Sequence, residues 1–247
     1  MHRFFVSADR VNEHTLKAVL DRQQSRHVEK VLRLKVGDGL ILFDGSGKEY
    51  ESVISGRGKD GLTVDIKKIC RKNLEPPIKL TLFQGIAKGN KMDTIIQKAV
   101  EIGVHKICPI ITDHTTVNLQ GDKLLAKVKR WQVIATEACK QCGRNEVPVI
   151  SEVETFPQAL AAVEGRHCLL LYEKGVHGLK QILRENPGME GEVSLIIGPE
   201  GGFSVSEVDQ AREKGVAIAR LGPRILRTET AGLVAISIIM YEYGDIG

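Results

Sequence analysis

Two glycine-rich turns near the carboxyl end of the chain carry the residue types best suited to chemistry. The first is residues 198–202 (Gly-Pro-Glu-Gly-Gly), and the second is residues 221–231. Glycines let backbone approach a small molecule closely, and the same turns hold charged groups at Glu200, Arg227 and Glu229. Such turns also occur as tight connections without a ligand, so the glycines alone leave both interpretations open.

Each turn follows an apolar run and precedes a predicted helix. Residues 193–197 and 216–221 are typical of buried parallel strands. Ser204 with Glu207 three residues later predicts a capping box, and Gly215 suits the end of that helix. Because ligands of parallel α/β sheets bind beyond the carboxyl ends of strands, we expect both turns at one edge of a sheet.

The pattern from residue 79 onward alternates between strand and helix. Strands are predicted at residues 80–83, 107–111, 147–150 and 168–172, and apolar helical faces at residues 95–102 and 124–138. This alternation predicts an α/β fold, a parallel sheet with helices on both faces.

Residues 36–69 instead indicate short strands, at 40–43 and 62–66. The turns between strands are predicted at Asp44-Gly45, Gly56, Gly58 and Asp60-Gly61. Frequent turns between short strands favour a small β-barrel. Pro76 and Pro77 mark the boundary between the two regions, because paired prolines end regular structure.

Positive charge is concentrated in the amino-terminal third. The 247-residue chain has a net charge of +4, and residues 1–78 carry 15 Lys and Arg against 11 Asp and Glu. The densest cations are Arg22, Arg26, Lys30, Arg33 and Lys35, beside His27. Local positive charge attracts phosphate backbones, although a solvated face would show the same pattern.

Composition excludes several other classes. No apolar run reaches the roughly 20 residues that a membrane-spanning helix needs, and the apolar stretch after Met1 is too short for a signal peptide, so we expect a cytoplasmic protein. Five cysteines at irregular spacing argue against a disulfide framework. Cys139 and Cys142 form a C-x-x-C at the end of a predicted helix, which favours helix packing over redox or zinc chemistry.

Three stretches carry a more specific pattern. The first consists of residues 198–202 together with residues 221–231, which include Ile-Leu-Arg-Thr-Glu-Thr-Ala. The second is residues 88–104, which begin Lys-Gly-Asn-Lys-Met. The third consists of residues 3–5 together with residues 27–38. Together they resemble the RsmE family of SPOUT methyltransferases, and the similarity spans nearly the whole chain.

The resemblance implies a two-domain architecture. A PUA-like β-barrel that binds RNA would occupy residues 1–73, and a SPOUT-type parallel sheet with a trefoil knot would occupy residues 79–247. General folding rules would not predict a knot. The resemblance also implies a homodimer with a helix at about residues 230–243 in its interface, although that helix, apolar on nearly all sides, equally fits a core position.

The activity implied by the resemblance is methyl transfer from S-adenosylmethionine to N3 of a uridine in 16S ribosomal RNA, without a metal ion. Loss of the imide proton leaves negative charge that cations would stabilise, and a carboxylate would orient them or accept the proton. The catalytic candidates are Arg227, Glu229 and Arg144, with Glu200 and Arg224 as further choices. The cofactor-binding candidates are Leu171, Gly198, Pro199, Glu200, Gly201, Leu221, Gly222, Ile225 and Leu226. The RNA-binding candidates are Arg3, Arg26, His27, Lys30, Arg33, Lys88 and Arg224.

The chain departs from the family pattern at three places. Residues 140–144 are Lys-Gln-Cys-Gly-Arg, where the family usually has Glu-Gln-Ser-Gly-Arg. Residues 113–116 are Asp-His-Thr-Thr, where the family often has Glu-Arg-Ser. Asn90 lies where the family commonly has an aspartate. The first two departures put in doubt any role of the missing Glu or Arg, and they leave Gln141 and Arg144 as matching positions.

Two alternatives stay open. A SpoU-type ribose 2′-O-methyltransferase typically has Ser-Leu-Asn where this chain has Arg227-Thr228-Glu229. A non-catalytic RNA-binding assembly factor would use the amino-terminal barrel alone, but it would have no reason to keep a cofactor pocket.

Overall fold

Contacts along the chain separate two units in the computed structural model, which describes residues 1–117, 121–186 and 191–247. Unit 1 contains Met1–Glu75 and Cys139–Val147, and unit 2 contains Pro76–Ala138 and Pro148–Gly247. The chain therefore passes from unit 1 to unit 2 beside the paired prolines. The sequence did not predict that Cys139–Val147 belongs with unit 1.

Unit 1 is built on a six-stranded sheet with the strand order β1-β4-β5-β6-β3-β2. Its elements are β1 (Arg3–Phe5), β2 (Val11–Asn12), β3 (Lys17–Val19), α1 (Arg22–Arg26), a π-helical turn (His27–Val31), β4 (Gly39–Phe43), β5 (Lys48–Arg57) and β6 (Leu62–Arg71). β1 and β4 are parallel, and the other pairs are antiparallel.

The core of unit 1 follows from alternation along these strands. Leu40 and Leu42 of β4 and Val64 and Ile66 of β6 face one buried cluster, which is how a period of two fills one side of a curled sheet. The predicted strands are confirmed. The turn predicted at Gly56 is wrong, because Gly56 lies inside β5 at a shift of register against β6.

Unit 2 contains an eight-stranded parallel sheet in the order β10-β8-β7-β13-β11-β14-β12, with β9 paired to β8. Its strands are β7 (Lys79–Gly85), β8 (Lys106–Ile111), β9 (Val149–Ile150), β10 (Glu154–Thr155), β11 (His167–Leu171), β12 (His177–Gly178), β13 (Glu192–Ile197) and β14 (Ala217–Arg220). Its helices are α2 (Lys91–Glu101), α4 (Phe156–Val163), α5 (Leu179–Glu185), α6 (Val205–Glu213) and α7 (Thr228–Tyr243), and α3 (Asp122–Cys142) crosses the division. The predicted parallel α/β sheet is confirmed.

Helices cover both faces of this sheet. Ile196 of β13 lies in the cluster that also contains residues of α4 and α6. The next residue, Ile197, points to the opposite face, where Gly232 of α7 packs 3.6 Å from it, measured from an ideal Cβ. Helix α7 begins at Thr228, two residues before the predicted start, so the second glycine-rich connection ends at Arg227.

No helix among the described residues is long and apolar enough to span a membrane.

Candidate active site

Unit 2 contains a pocket of about 400 Å³ where the neighbouring strands β11, β13 and β14 end. Its walls come from the ends of these strands, the connections that follow them, one residue of α2 and two residues of α7. The lining residues are Leu171, Tyr172, Glu173, Ile197, Gly198, Pro199, Glu200, Gly201, Gly202, Phe203, Leu221, Gly222, Pro223, Arg224, Ile225, Leu226, Arg227, Thr228, Ala231 and Lys91. The carboxyl edge of a parallel sheet is the usual ligand position in this fold class.

Every cofactor-binding candidate from the sequence lines this pocket, and so do Arg227 and Arg224. Glu229, the second residue of α7, is not among the residues that line the pocket. Its Oε2 lies 3.6 Å from Nζ of Lys91, which does line it. Sequence reasoning missed Lys91, Tyr172, Glu173, Phe203 and Thr228 as wall residues. For Lys91 a signal existed in the stretch 88–92, but only the folded chain brings it to β13.

The loop of residues 198–202 is packed tightly against its surroundings. An ideal Cβ on Gly85, at the end of β7, would lie 2.5 Å from Pro199 N. A Cβ on Gly201 would lie 2.8 Å from His114 Cβ, and His114 Nδ1 is 2.8 Å from the Gly201 carbonyl oxygen. Gly202 has φ +67°, which favours glycine. The close approach therefore requires the glycines here for packing and turn geometry.

A buried chain of hydrogen bonds fixes this loop to the start of α7. Thr228 Oγ1 donates to the Gly198 carbonyl oxygen at 2.6 Å, and Gln84 Nε2 donates to Thr228 Oγ1 at 2.9 Å. Gln84 is fully buried and Thr228 nearly so. The bonds therefore join β7, the loop after β13 and α7 on the inner side of the pocket.

The predicted capping box at α6 is confirmed. Ser204 Oγ accepts from Glu207 N at 3.2 Å, and Glu207 Oε2 accepts from Ser204 N at 2.8 Å. The buried Glu207 also accepts from Asp113 N at 2.9 Å, so residues 113–114, where this chain departs from the family pattern, hold both the loop and the helix after it.

Charged groups cluster at the pocket beside α7. Arg227 occupies the position before the first residue of α7, with an exposed side chain. Burial raises the pKa of Glu200, but hydrogen bonds from Lys91 Nζ (2.9 Å) and Lys88 N (3.0 Å) outweigh it and hold that pKa below its ordinary value. A carboxylate kept ionised in this way is a weak proton acceptor.

Arg144 has a different environment. It belongs to unit 1, its side chain is 6% exposed, and both Nε (3.1 Å) and Nη2 donate to the carboxylate of Glu75. It is not among the residues that line the pocket. The structure thus gives Arg144 a bidentate internal partner, while its catalytic role stays a prediction.

The RNA-binding candidates of unit 1 divide into two groups. Arg26, His27, Lys30 and Arg33 are exposed on α1, the π-helical turn and the residues that follow. Arg3 instead points inward: Nη1 donates to the buried carboxylate of Glu49, and Nη2 donates to Asn145 Oδ1 at 2.7 Å. Its guanidinium therefore holds the segment Cys139–Val147 against β1 and β5. In unit 2, Lys88 and Arg224 are exposed.

The cysteine pair matches the helix-packing interpretation. Cys139 and Cys142 end α3 with free thiols, and burial raises the pKa of Cys139 to about 12. In the described parts of the chain no group of three or more His, Cys, Asp or Glu side chains could hold a metal ion.

A parallel sheet with a pocket at its carboxyl edge, together with an amino-terminal β-unit, is the architecture of a known class of protein, the RNA methyltransferases with a PUA domain. The RNA methyltransferase domain family matches residues 74–240, and the RNA methyltransferase PUA domain family matches residues 20–67.

The chain belongs to the ribosomal RNA small subunit methyltransferase E (RsmE) family. The Bacillus subtilis (strain 168) protein of that name is 33% identical over 250 residues, which cover 98% of this chain and 97% of that protein. The Buchnera aphidicola (Schizaphis graminum) protein is also 33% identical, over 230 residues that cover 92% of this chain and 91% of that one. The similarity thus extends over both units.

Solved structures agree with this membership. The ribosomal RNA small subunit methyltransferase E of Neisseria gonorrhoeae, crystallised with S-adenosyl methionine, is 33% identical, covers the full length of both chains, and has a TM-score of 0.90. A Legionella pneumophila protein in complex with the bound cofactor SAM is 34% identical over 98% of both chains, with a TM-score of 0.89.

Proposed function

We propose that this protein transfers the methyl group of S-adenosylmethionine to N3 of a uridine in 16S ribosomal RNA. The observation that carries the proposal is the glycine-lined pocket at the carboxyl edge of β11, β13 and β14, in a chain whose full-length relative was crystallised with that methyl donor. Its volume of about 400 Å³ lies within the range of small-molecule sites, roughly 300–1,000 Å³.

The walls suit a nucleoside. Ile225 is 82% exposed at the pocket wall, where a flat base can pack against it, and Leu171 and Leu226 add apolar surface. The backbone of the loop 198–202 lines the same space, so its peptide groups can bind polar edges of the base and ribose. These contacts support adenosine binding by Leu171, the loop 198–202, Leu221, Gly222, Ile225 and Leu226.

S-adenosylmethionine, when bound, supplies a methyl group on a good leaving group, so the chain must orient the reactants and stabilise the uracil anion. We assign the second task to Arg227, because it is exposed and lines the pocket, so that its guanidinium can bind a carbonyl oxygen beside N3. Arg224 can bind the second oxygen or a phosphate. Because Glu200 is held ionised, we favour Glu229 over Glu200 as the carboxylate that orients these cations or accepts the proton.

Uracil N3 lies on the pairing edge, so the substrate uridine must be unpaired and turned into the pocket. We propose that unit 1 binds the surrounding RNA through Arg26, His27, Lys30 and Arg33, and that Lys88 and Arg224 bind phosphates beside the pocket. Cations placed in this way neutralise the backbone without reading sequence. A substrate in ribosomal RNA also implies action in the cytoplasm.

We further propose that the protein acts as a homodimer in which α7 packs at the interface. In support, α7 is apolar on nearly all sides, and Val234 (37%) and Tyr241 (68%) are exposed on it. Sedimentation of the purified chain at micromolar concentration would give twice the mass of one chain if this is right.

The test of the activity is incubation of purified protein with methyl-labelled S-adenosylmethionine and small-subunit ribosomal RNA, followed by nucleoside analysis. We expect label in N3-methyluridine. Label in a base-resistant dinucleotide would instead establish ribose 2′-O-methylation, and RNA binding without label or cofactor binding would establish a non-catalytic assembly factor.

A further inference from the structure

Lys91, the first residue of α2, contacts two carboxylates that belong to two different segments of the pocket. Its Nζ lies 2.9 Å from Glu200 Oε1 and 3.6 Å from Glu229 Oε2. Glu200 belongs to the glycine-rich loop after β13, and Glu229 to the first turn of α7. One ammonium group therefore connects three elements that are far apart in sequence.

The neighbouring backbone strengthens the same connection. Lys88 N donates to Glu200 Oε1 at 3.0 Å, so this oxygen accepts from two donors, one in the connection between β7 and α2 and one on the first residue of α2. Such charge-assisted hydrogen bonds are stronger and more directional than neutral ones. The loop 198–202 is held at its centre by this pair.

Lys91 also supplies positive charge beside Glu229. Glu229 Oε2 is buried and makes no hydrogen bond with any residue that the structure describes, so the ammonium at 3.6 Å is the positive charge nearest to it in the described ion pairs. The positive charge of Arg227 also acts on Lys91. Without Lys91, Glu200 and Glu229 would lose the cation that they share, and their like charges would disfavour the arrangement that brings both within 3.6 Å of one ammonium.

We propose that Lys91 is a positioning residue of the methyl-transfer site. By binding Glu200 and Glu229 together, it fixes the glycine-rich loop and the first turn of α7, which begins beside Arg227, in the arrangement that binds S-adenosylmethionine. The inference rests on the proposed function and assigns that site a residue that is not among the catalytic or cofactor-binding candidates from the sequence.

The direct test is calorimetric titration of S-adenosylmethionine into Lys91→Met and Lys91→Arg. Because Lys91 holds two segments of the pocket through partly exposed ion pairs, Lys91→Met should weaken binding about fivefold to tenfold, and Lys91→Arg should restore most of it. Lys98→Met is the matched control: Lys98 lies on the same helix and pairs with Glu101 at 2.8 Å, outside the pocket. It should bind the cofactor as the wild type does.

A double-variant cycle separates positioning from general stability. In a Glu200→Gln background the repulsion that follows loss of Lys91 is removed, so Lys91→Met should cost clearly less affinity there than in the wild type. Equal losses in both backgrounds, or wild-type affinity for Lys91→Met, would overturn the proposal. If Lys91→Met does not fold, the test uses the S-adenosylmethionine affinities of Lys91→Arg and of the Lys91→Met, Glu200→Gln double variant, compared with the wild type and with Glu200→Gln.

Failure of this proposal is distinguishable from failure of the proposed function. Wild-type protein that binds no S-adenosylmethionine would overturn both. Wild-type protein that binds and transfers methyl groups, with a Lys91→Met variant that binds equally well, would overturn only the role of Lys91.

Discussion

At the scale of single residues, two arginines chosen by the same sequence argument have different environments. Arg227 is exposed at the wall of the pocket, whereas Arg144 is buried and paired with Glu75 in unit 1. An exposed guanidinium keeps its donors for a ligand, while a buried one uses them to balance a carboxylate. Environment therefore separates roles that residue type alone leaves open.

For Arg227 we expect a loss in turnover without a comparable loss in cofactor affinity. Arg227→Ala removes the cation that we propose binds the uracil anion, and removal of one such donor typically lowers turnover about 100-fold. Steady-state methyl transfer and calorimetry with S-adenosylmethionine measure the two quantities. Arg212→Ala, on α6 outside the pocket, is the control. Intact turnover with a large loss of cofactor binding would contradict this role.

For Arg144 we expect a loss of stability. Arg144→Ala leaves the Glu75 carboxylate without its bidentate partner, and breaking a buried pair costs about 3 kcal/mol or more. Urea unfolding measures the change. The exposed Arg166–Glu192 pair (3.2 Å) is the comparison, and Arg166→Ala should cost less than about 1 kcal/mol. Unchanged unfolding together with lost methyl transfer would instead support the catalytic role predicted for Arg144.

At the scale of elements, the pocket depends on how closely the loop after β13 approaches β7. Gly85 does not have a left-handed backbone conformation. A larger residue is excluded there because its Cβ would clash with backbone atoms of Gly198 and Pro199. Backbone cannot move aside as the end of a long side chain can. The shape of the pocket is therefore set partly by a residue that does not line it.

Gly85→Ala should displace the loop and weaken S-adenosylmethionine binding, because overpacking of this kind costs about 1–3 kcal/mol. Calorimetry and thermal unfolding measure the effect. Gly178 is the matched control in the same unit, since an ideal Cβ there meets nothing within 4 Å. Wild-type affinity in Gly85→Ala would show that the loop tolerates the methyl group.

The elements themselves were largely predictable from sequence. Of the apolar face predicted at residues 124–138 of α3, Trp131, Ala135 and Ala138 are buried, while Leu124 and Val128 are half-buried. The capping box at Ser204 is formed. Both signals are local, so the sequence could reveal them. The turn predicted at Gly56 was wrong because a glycine inside a long strand can mark a bulge instead.

The contacts between distant segments were not predictable in this way. The pairing of Glu146 with Gly45 and Ser46, and the hydrogen bond from Arg3 to Asn145, join Cys139–Val147 to unit 1 over separations that no periodicity reveals. The same holds for Lys91, whose partners are set by the sheet order. The trefoil knot, implied by family resemblance alone, stays a prediction.

At the scale of the whole molecule, the net positive charge and the pocket belong to different parts of the chain. The net positive charge belongs to residues 1–78, and the pocket belongs to unit 2. An RNA-modifying enzyme needs both a sequence-independent hold on phosphates and a site for one base. The division of the chain fits that requirement.

Neutralising Arg26, Lys30 and Arg33 together should flatten the salt dependence of RNA binding. If each binds one phosphate, the slope of log affinity against log salt should fall by about 2. Filter binding across a series of salt concentrations measures it. A control that neutralises Arg166, Arg212 and Lys214, which are exposed and ion-paired in unit 2, should leave the slope unchanged. An unchanged slope in the first variant would move the RNA path elsewhere.

The identity of the methylated nucleoside tests the proposed function most directly, and mass spectrometry of 16S ribosomal RNA measures it. RNA from a strain lacking this protein should have lost one N3-methyluridine, and expression of the wild-type chain, but not of Arg227→Ala, should restore it. An identical set of methylated uridines with and without the protein would contradict the proposed function.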